Sequence, residues 1–161
     1  MDAIELLTQQ HREVEKLFEQ YEKAGDRAEK REICELISDE LAMHAALEER
    51  IFYPATNAAR TEEALHEALE EHRSANRHIA DIVRGYVLEE QIDAKMNVLM
   101  GQIEHHVEEE EKELFPKARN LLGAERLAEC GEKMTELMEE LESEGESRRQ
   151  VSDDTDHAAP I

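Results

Sequence analysis

Apolar residues recur along most of this chain at steps of three and four. That spacing places them on one face of an α-helix and does not match the two-residue alternation of a strand. The first stretch predicts a helix over about 3–24, with the inward stripe Ile4, Leu7, His11, Val14, Leu17 or Phe18, and Tyr21. Gly25-Asp26 ends it. A second helix is expected over about 27–53, carrying Ile33, Ile37, Leu41, His44, Leu47 or Glu48, and Ile51, with Pro54 near its end. After a short connection, Thr61 suits an N-cap, and Glu62 and Glu63 suit a first turn. The third helix, about 62–84, turns Leu65, Leu69, His72, Asn76, Ile79 and Val83 inward. The fourth, about 90–121, does so with Ile92, Met96, Leu99, Ile103, His106, Glu110 and Leu114. A last amphipathic stretch over about 124–141 is expected to pack across the outside or one end of the others. From Ser143 the chain turns polar and reads as a disordered acidic tail.

Several positions in these apolar stripes are polar, and they repeat. His11 and His72 lie 61 residues apart, and His44 and His106 lie 62 apart. The chain also writes one phrase twice, His-x3-Glu-Glu followed by two bulky residues and proline, from His44 to Pro54 and from His106 to Pro116. Residues 1–60 and 61–122 therefore read as two copies of one helical hairpin. Two such hairpins joined by short connections predict an all-α, antiparallel up-down-up-down four-helix bundle over 1–122. Residues 123–142 form an accessory C-terminal helix and 143–161 the tail.

On a helix, residues four apart share a face, so His44 with Glu48 and His106 with Glu110 each set an imidazole beside a carboxylate. With His11 and His72 they make six inward polar groups, and burying these without partners would cost several kcal/mol or more. One histidine per helix and two carboxylates at matched offsets point to metal. Imidazole and carboxylate without thiolate suit Fe, Mn or Zn. A single tetrahedral zinc would leave some of the six unused. Two metals fit better, each holding two histidines, with Glu48 and Glu110 bridging and oxide, hydroxide or water completing the centre. Open positions then remain for a small ligand.

Around this set, Glu49 and Glu111 are expected at the rim, His66 and His78 toward solvent, and His105 beside the inner face. His157 falls in the tail. Cys34, ten residues before His44, reads as core or as a thiol near the site. Phe18, Phe52, Tyr53 and Phe115 read as pocket wall or core.

Charge narrows the partners. The chain has 41 acidic and 19 basic residues, a formal charge of −22. That argues against nucleic acid and anionic membrane surfaces. No apolar run approaches a membrane span, and the N-terminus lacks the features of a signal peptide. Two cysteines without patterned spacing fit a reducing cytoplasm.

The residues Gln10-His11-Arg12, His44 to Pro54, Glu71-His72-Arg73 and His106 to Pro116 resemble the hemerythrin-like, or HHE cation-binding, domain family. The resemblance covers about residues 3–122. It implies a four-helix bundle around a non-haem di-iron centre that binds or senses O2, NO or peroxide. Carried over by position, it implies His11, His44, Glu48, His72, His106 and Glu110 as ligands to two oxo- or hydroxo-bridged Fe ions. A di-iron enzyme that decomposes peroxide or acts in nitrosative or oxidative stress repair, and an iron sensor or store, are the alternatives. The better-known oxygen carriers have a further histidine where this chain has Asn76. The remaining four histidines and two carboxylates are similar to the set in iron-sensing and stress-repair relatives.

Overall fold

Helix boundaries in this protein are set by side chains that meet the unpaired backbone groups at each end. The structure, a computed structural model, describes residues 1–145. Helix α1 spans Ala3–Lys23. Asp2 accepts from the Glu5 amide at 2.9 Å while the Glu5 carboxylate accepts from the Asp2 amide at 2.9 Å, a reciprocal cap. Helix α2 spans Arg27–Leu47 and is capped by Asp26, which accepts from the Glu29 amide at 2.8 Å. It is followed, after the short helix α3 at Tyr53–Thr56, by helix α4, Glu62–Val83. Thr61 was expected to cap α4 with its side chain, but its hydroxyl is used elsewhere. It donates to the Thr56 carbonyl at 2.6 Å and accepts from the Ala58 amide at 3.0 Å. Thr61 is fully buried, and the carbonyl it meets would otherwise lack that donor.

The second helix runs on past its expected end near Pro54, and the fourth passes Pro116 as expected, but each does so through a widened turn that was not expected. Helix α2 runs on through a π-helical turn, Glu48–Phe52, into a short helix α3, Tyr53–Thr56. Helix α5, Ile92–Glu109, runs on through a second π turn, Glu110–Leu114, into α6, Phe115–Glu144. In each turn an amide bonds five residues back, Tyr53 to the Glu48 carbonyl and Phe115 to the Glu110 carbonyl. Pro54 and Pro116 then fall in the first turn of the next segment, where a missing N–H is tolerated. The expected break between the fourth helix and the last one is a kink at Gly123, whose φ of 71° favours a residue without a Cβ. The helix continues to Glu144, and the expected tail beyond Gly145 lies outside the described residues.

Helix α1 packs on α2, α2 on α4 and α4 on α5, and α6 packs back on α1. The result is a four-helix bundle whose apolar interior is in two parts. One cluster holds Leu7, Leu47, Phe52, Leu65 and Phe115. The other holds Phe18, Ile37, Ile79, Met96 and Leu99. Along α1, α2, α4 and the continuous α5–α6 rod a histidine lies between residues of the two clusters, so a polar layer separates them. Beyond the kink, α6 adds Leu127, Cys130 and Met134 to the first cluster and sets Leu141 against Met43 and Ala46. Cys34 packs in the second cluster, and burial pushes its thiol up to about 11, so it is core. Among the described residues, no helix is long and apolar enough to cross a membrane.

The seat of α6 depends on Gly131. A Cβ there would overlap the Met1 carbonyl oxygen and lie 2.9 Å from the Asp2 carbonyl carbon, both backbone atoms. Gly131→Ala should therefore lower stability by about 1–3 kcal/mol through overpacking. Gly101, in α5, is the contrast, since a Cβ added there would meet nothing within 4 Å. Gly101→Ala should raise stability by roughly 0.5–1 kcal/mol. Urea unfolding of the two variants checks both signs, and a stabilised Gly131→Ala protein would contradict the packing.

Candidate metal centre

The polar layer is built by one histidine from each of α1, α2, α4 and α5 and one glutamate from the start of each π turn. His11 comes from α1, His44 from α2, His72 from α4 and His106 from α5, and all four are buried. Glu48 is fully buried and Glu110 is 3% exposed. The structure brings these six together. His11 Nε2 lies 3.2 Å from His44 Nε2, and His72 Nε2 lies 3.2 Å from His106 Nε2. Glu48 reaches both pairs, with Oε1 3.0 Å from His44 Nε2 and Oε2 2.9 Å from His72 Nε2. Glu110 Oε1 lies 2.7 Å from His106 Nε2 and 3.7 Å from His11 Nε2.

The outer nitrogens explain why the inner ones converge. His11 Nδ1 faces Glu111 Oε1 at 2.8 Å, His44 Nδ1 faces Gln10 Oε1 at 2.8 Å, and His106 Nδ1 faces Glu71 Oε1 at 3.1 Å. His72 Nδ1 has Glu49 Oε1 at 3.6 Å. The first three partners accept hydrogen bonds, so His11, His44 and His106 as neutral rings carry the proton on Nδ1 and turn the Nε2 lone pair inward, while His72 Nδ1 has no hydrogen-bond partner among the described residues and only the Glu49 charge nearby. Four inward Nε2 atoms then face two carboxylates. Glu48 Oε1 and Glu110 Oε1 are buried oxygens with no hydrogen-bond partner among the described residues. Electron pairs packed this closely need a positive charge between them, supplied by metal or by protons. The donor atoms group accordingly, His11, His44, Glu48 and Glu110 in one set within 4.8 Å, and Glu48, His72 and His106 in another. Glu48 belongs to both, so the residues present fit two cations sharing a carboxylate.

The rim residues Glu49 and Glu111 stand where the repeat placed them. Arg12 also pairs with Glu111. Gln10 and Glu71 were not assigned a role by sequence reasoning. The available signal was their shared place in the repeat, each one residue before a site histidine. His78 is half-buried against Gln102 rather than free in solvent, and His105 is exposed beside Glu109.

Tyr53 was expected as pocket wall or core, and the polar role of its hydroxyl was not foreseen. Its hydroxyl donates to Glu48 Oε2 at 2.9 Å and lies 3.3 Å from His72 Nε2 and 3.5 Å from Glu110 Oε2. At ~100° per residue, a regular helix would swing residue 53 roughly 140° away from residue 48. The π turn adds a residue to the turn and brings Tyr53 back over Glu48. Its counterpart in the second phrase is Phe115, which stacks on His11 with ring centroids 5.8 Å apart, as Tyr53 stacks on His72 at 5.6 Å. Beside the layer lies a cavity of about 30 Å³, bordered by the four histidines, Asn76 and Ile103.

The sequence profile of the Hemerythrin HHE cation binding domain matches residues 2–118. The chain belongs to the hemerythrin HHE cation-binding domain family. Its fold is similar to the crystal structure of a Hemerythrin HHE cation binding domain-containing protein from Mycobacterium kansasii, with a TM-score of 0.81 and 22% identity. That match covers 96% of this chain and 99% of the other. A search of curated protein sequences returned no match.

Without metal, protons must hold this HHE layer together, and they do so at a pH cost. Burial works against charge on His72, but the carboxylates of Glu48 and Glu49 outweigh it and push the ring up to about 9. Burial likewise opposes charge on His106, and the charge of Glu110 overrides it to raise the ring well above its usual value. Burial would raise Glu48, yet the neighbouring histidines, His44 foremost, hold it well below the usual carboxylate range. Burial and the charges of Glu110 and Glu48 raise Tyr53 well above a normal phenol, so it remains a donor. For His72 the stabilisation is complete below its ordinary value of 6.5 and is lost as pH climbs through about 9. A chelator-stripped chain should therefore lose on the order of 3 kcal/mol across that rise. His72→Gln should flatten the profile, as read by urea unfolding at each pH. A stripped wild-type chain equally stable at both ends would contradict the paired layer.

Proposed function

We propose that this HHE domain holds a non-haem di-iron centre that binds or senses O2, NO or peroxide. His11 and His44 would hold one iron, His72 and His106 the other, and Glu48 and Glu110 would bridge them, with an oxo or hydroxo group between. The observation that carries the reading is Glu48, which presents one carboxylate oxygen to each histidine pair. Four imidazoles and two carboxylates without a thiolate exceed what one tetrahedral zinc uses and suit iron. The iron would supply redox chemistry and open coordination positions.

The protein's part is to orient, neutralise and exclude. Glu111, Gln10 and Glu71 fix the orientations of His11, His44 and His106 from outside, which keeps most of the donor set preorganised. Two buried carboxylates offset the charge of two cations. The cavity of about 30 Å³ has room for a water-sized or diatomic ligand and no larger substrate. Asn76 borders that cavity and would meet a ligand with its amide.

Protein made in iron-replete cells should carry two Fe per chain by elemental analysis. Glu48→Ala should reduce both sites, whereas His72→Ala should reduce one. Metal that binds the native state adds about 2.7 kcal/mol at 100 times its Kd, so chelation should lower the Tm. A wild-type chain with no bound metal and an unchanged melt after chelation would remove the reading.

Tyr53 favours a second reading at the same site, an enzyme that decomposes peroxide. Such chemistry needs a proton donor at the centre, and the buried Tyr53 hydroxyl sits within 3.5 Å of both glutamates, although Tyr53 does not line the cavity that Asn76 borders. Tyr53→Phe should keep the iron content and lower steady-state peroxide turnover at least several-fold. Equal turnover, or none in the wild type, would favour binding or sensing alone.

A further inference from the structure

The repeat relates the two hairpins position by position, so each outer face has a counterpart. The two faces differ in chemistry. On the first hairpin Leu6, Met43 and Leu47 are buried, and α6 beyond the kink covers them. Gln10, which orients His44, is covered there too, its Nε2 lying 3.8 Å from Met138 Sδ. The counterparts on the second hairpin are Glu67, His105 and Glu109, all exposed, and Glu71 stands in place of Gln10.

This second face is open as a groove of about 260 Å³ between α4 and the α5–α6 rod. Glu63, Glu67, Glu71, Glu109 and Glu113 outnumber Arg60 and Lys117 along its walls, and buried His106 and Glu110 line its floor. Glu110 Oε1 is one of the buried oxygens without a hydrogen-bond partner among the described residues. At the mouth, one donor atom each of Glu71, His105 and Glu109 lie within 4.8 Å of one another, with His105 Nε2 3.1 Å from Glu109 Oε1. Glu71 ties mouth to floor, since its Oε1 also lies 3.1 Å from His106 Nδ1.

We propose that this groove is the cation port of the metal centre, with Glu71, His105 and Glu109 as an outer station that captures a hydrated divalent cation before it passes to His106 and Glu110. The proposal rests on the two-metal reading. An exposed imidazole with two carboxylates can replace part of a hydration shell while water keeps the rest, which makes a site that both binds and releases. Carboxylates along a concave wall concentrate their field at its floor. The opposite face also carries an acidic pocket, lined by Gln10, Glu13, Asp39, Glu40 and Glu142 beside Met43 and Met138, but none of the six inner residues lines it, so a cation held there meets no ligand of the centre. Loading is therefore one-sided although the ligand layer is nearly two-fold.

The test is anaerobic stopped-flow loading of the stripped chain with Co(II), followed by its visible absorption. His105→Gln with Glu109→Gln changes exposed groups outside the inner six and leaves Glu71 to orient His106. This variant should load about 10-fold more slowly at low ionic strength, with added salt narrowing the gap. It should still end at two Co(II) per chain with the wild-type spectrum. Glu136→Gln with Glu140→Gln, on the exposed face of α6, removes carboxylates away from the groove and should load at the wild-type rate. Equal rates for wild type and groove variant, at full loading, would overturn the port and leave the two-metal centre standing. Equal slowing by the α6 pair would reduce the effect to net charge and also overturn the port. A wild-type chain that takes up no Co(II) would overturn the centre and the port together.

Discussion

Four imidazole nitrogens and two carboxylates facing one another in the middle of an apolar bundle form a repulsive arrangement unless positive charge lies among them. The rest of the molecule is arranged to hold that configuration. Acceptors at the rim pin the Nδ1 protons of His11, His44 and His106 outward, which turns their Nε2 atoms inward. Apolar clusters on either side deny water to the layer, so charges there interact strongly. Protons satisfy the layer up to moderately alkaline pH, and cations do so more generally. Metal affinity and proton affinity are therefore two readings of one electrostatic demand.

The π turns show how backbone geometry serves that demand. In both phrases the helix widens by one residue just where a glutamate enters the layer. The widening lets an aromatic residue five positions later return over the carboxylate, and it lets the following proline start a new helical segment. The two turns are alike in geometry, yet one delivers a phenol and the other a plain ring. The donor set is thus nearly symmetric, while the polarity around it is not.

The all-helical class, the four-helix bundle and the meeting of the six His and Glu side chains were legible because each depends on a regular 3.6-residue period. His11, His44, His72 and His106 interrupt apolar stripes at positions where polarity has no other account. Tyr53 was legible as pocket wall or core, but the reach of its hydroxyl to Glu48 was not, because that approach depends on a turn that breaks the period. Gln10 and Glu71 act on neighbouring helices, which periodicity within one helix does not report. Thr61 looked like a cap because its type and place suited one, and tertiary burial of a loop carbonyl claimed its hydroxyl instead.

The carboxylates have one more consequence. Each histidine pair forms inside a single hairpin, His11 with His44 and His72 with His106, but Glu48 reaches from the first hairpin to His72 and Glu110 from the second to His11. The bonds that would make two cations a pair are the same bonds that fasten one half of the chain to the other. The centre works mechanically as a clasp. A force or fluctuation that parts the hairpins undoes it while every helix is still intact, and an occupied centre makes the two halves move as one body.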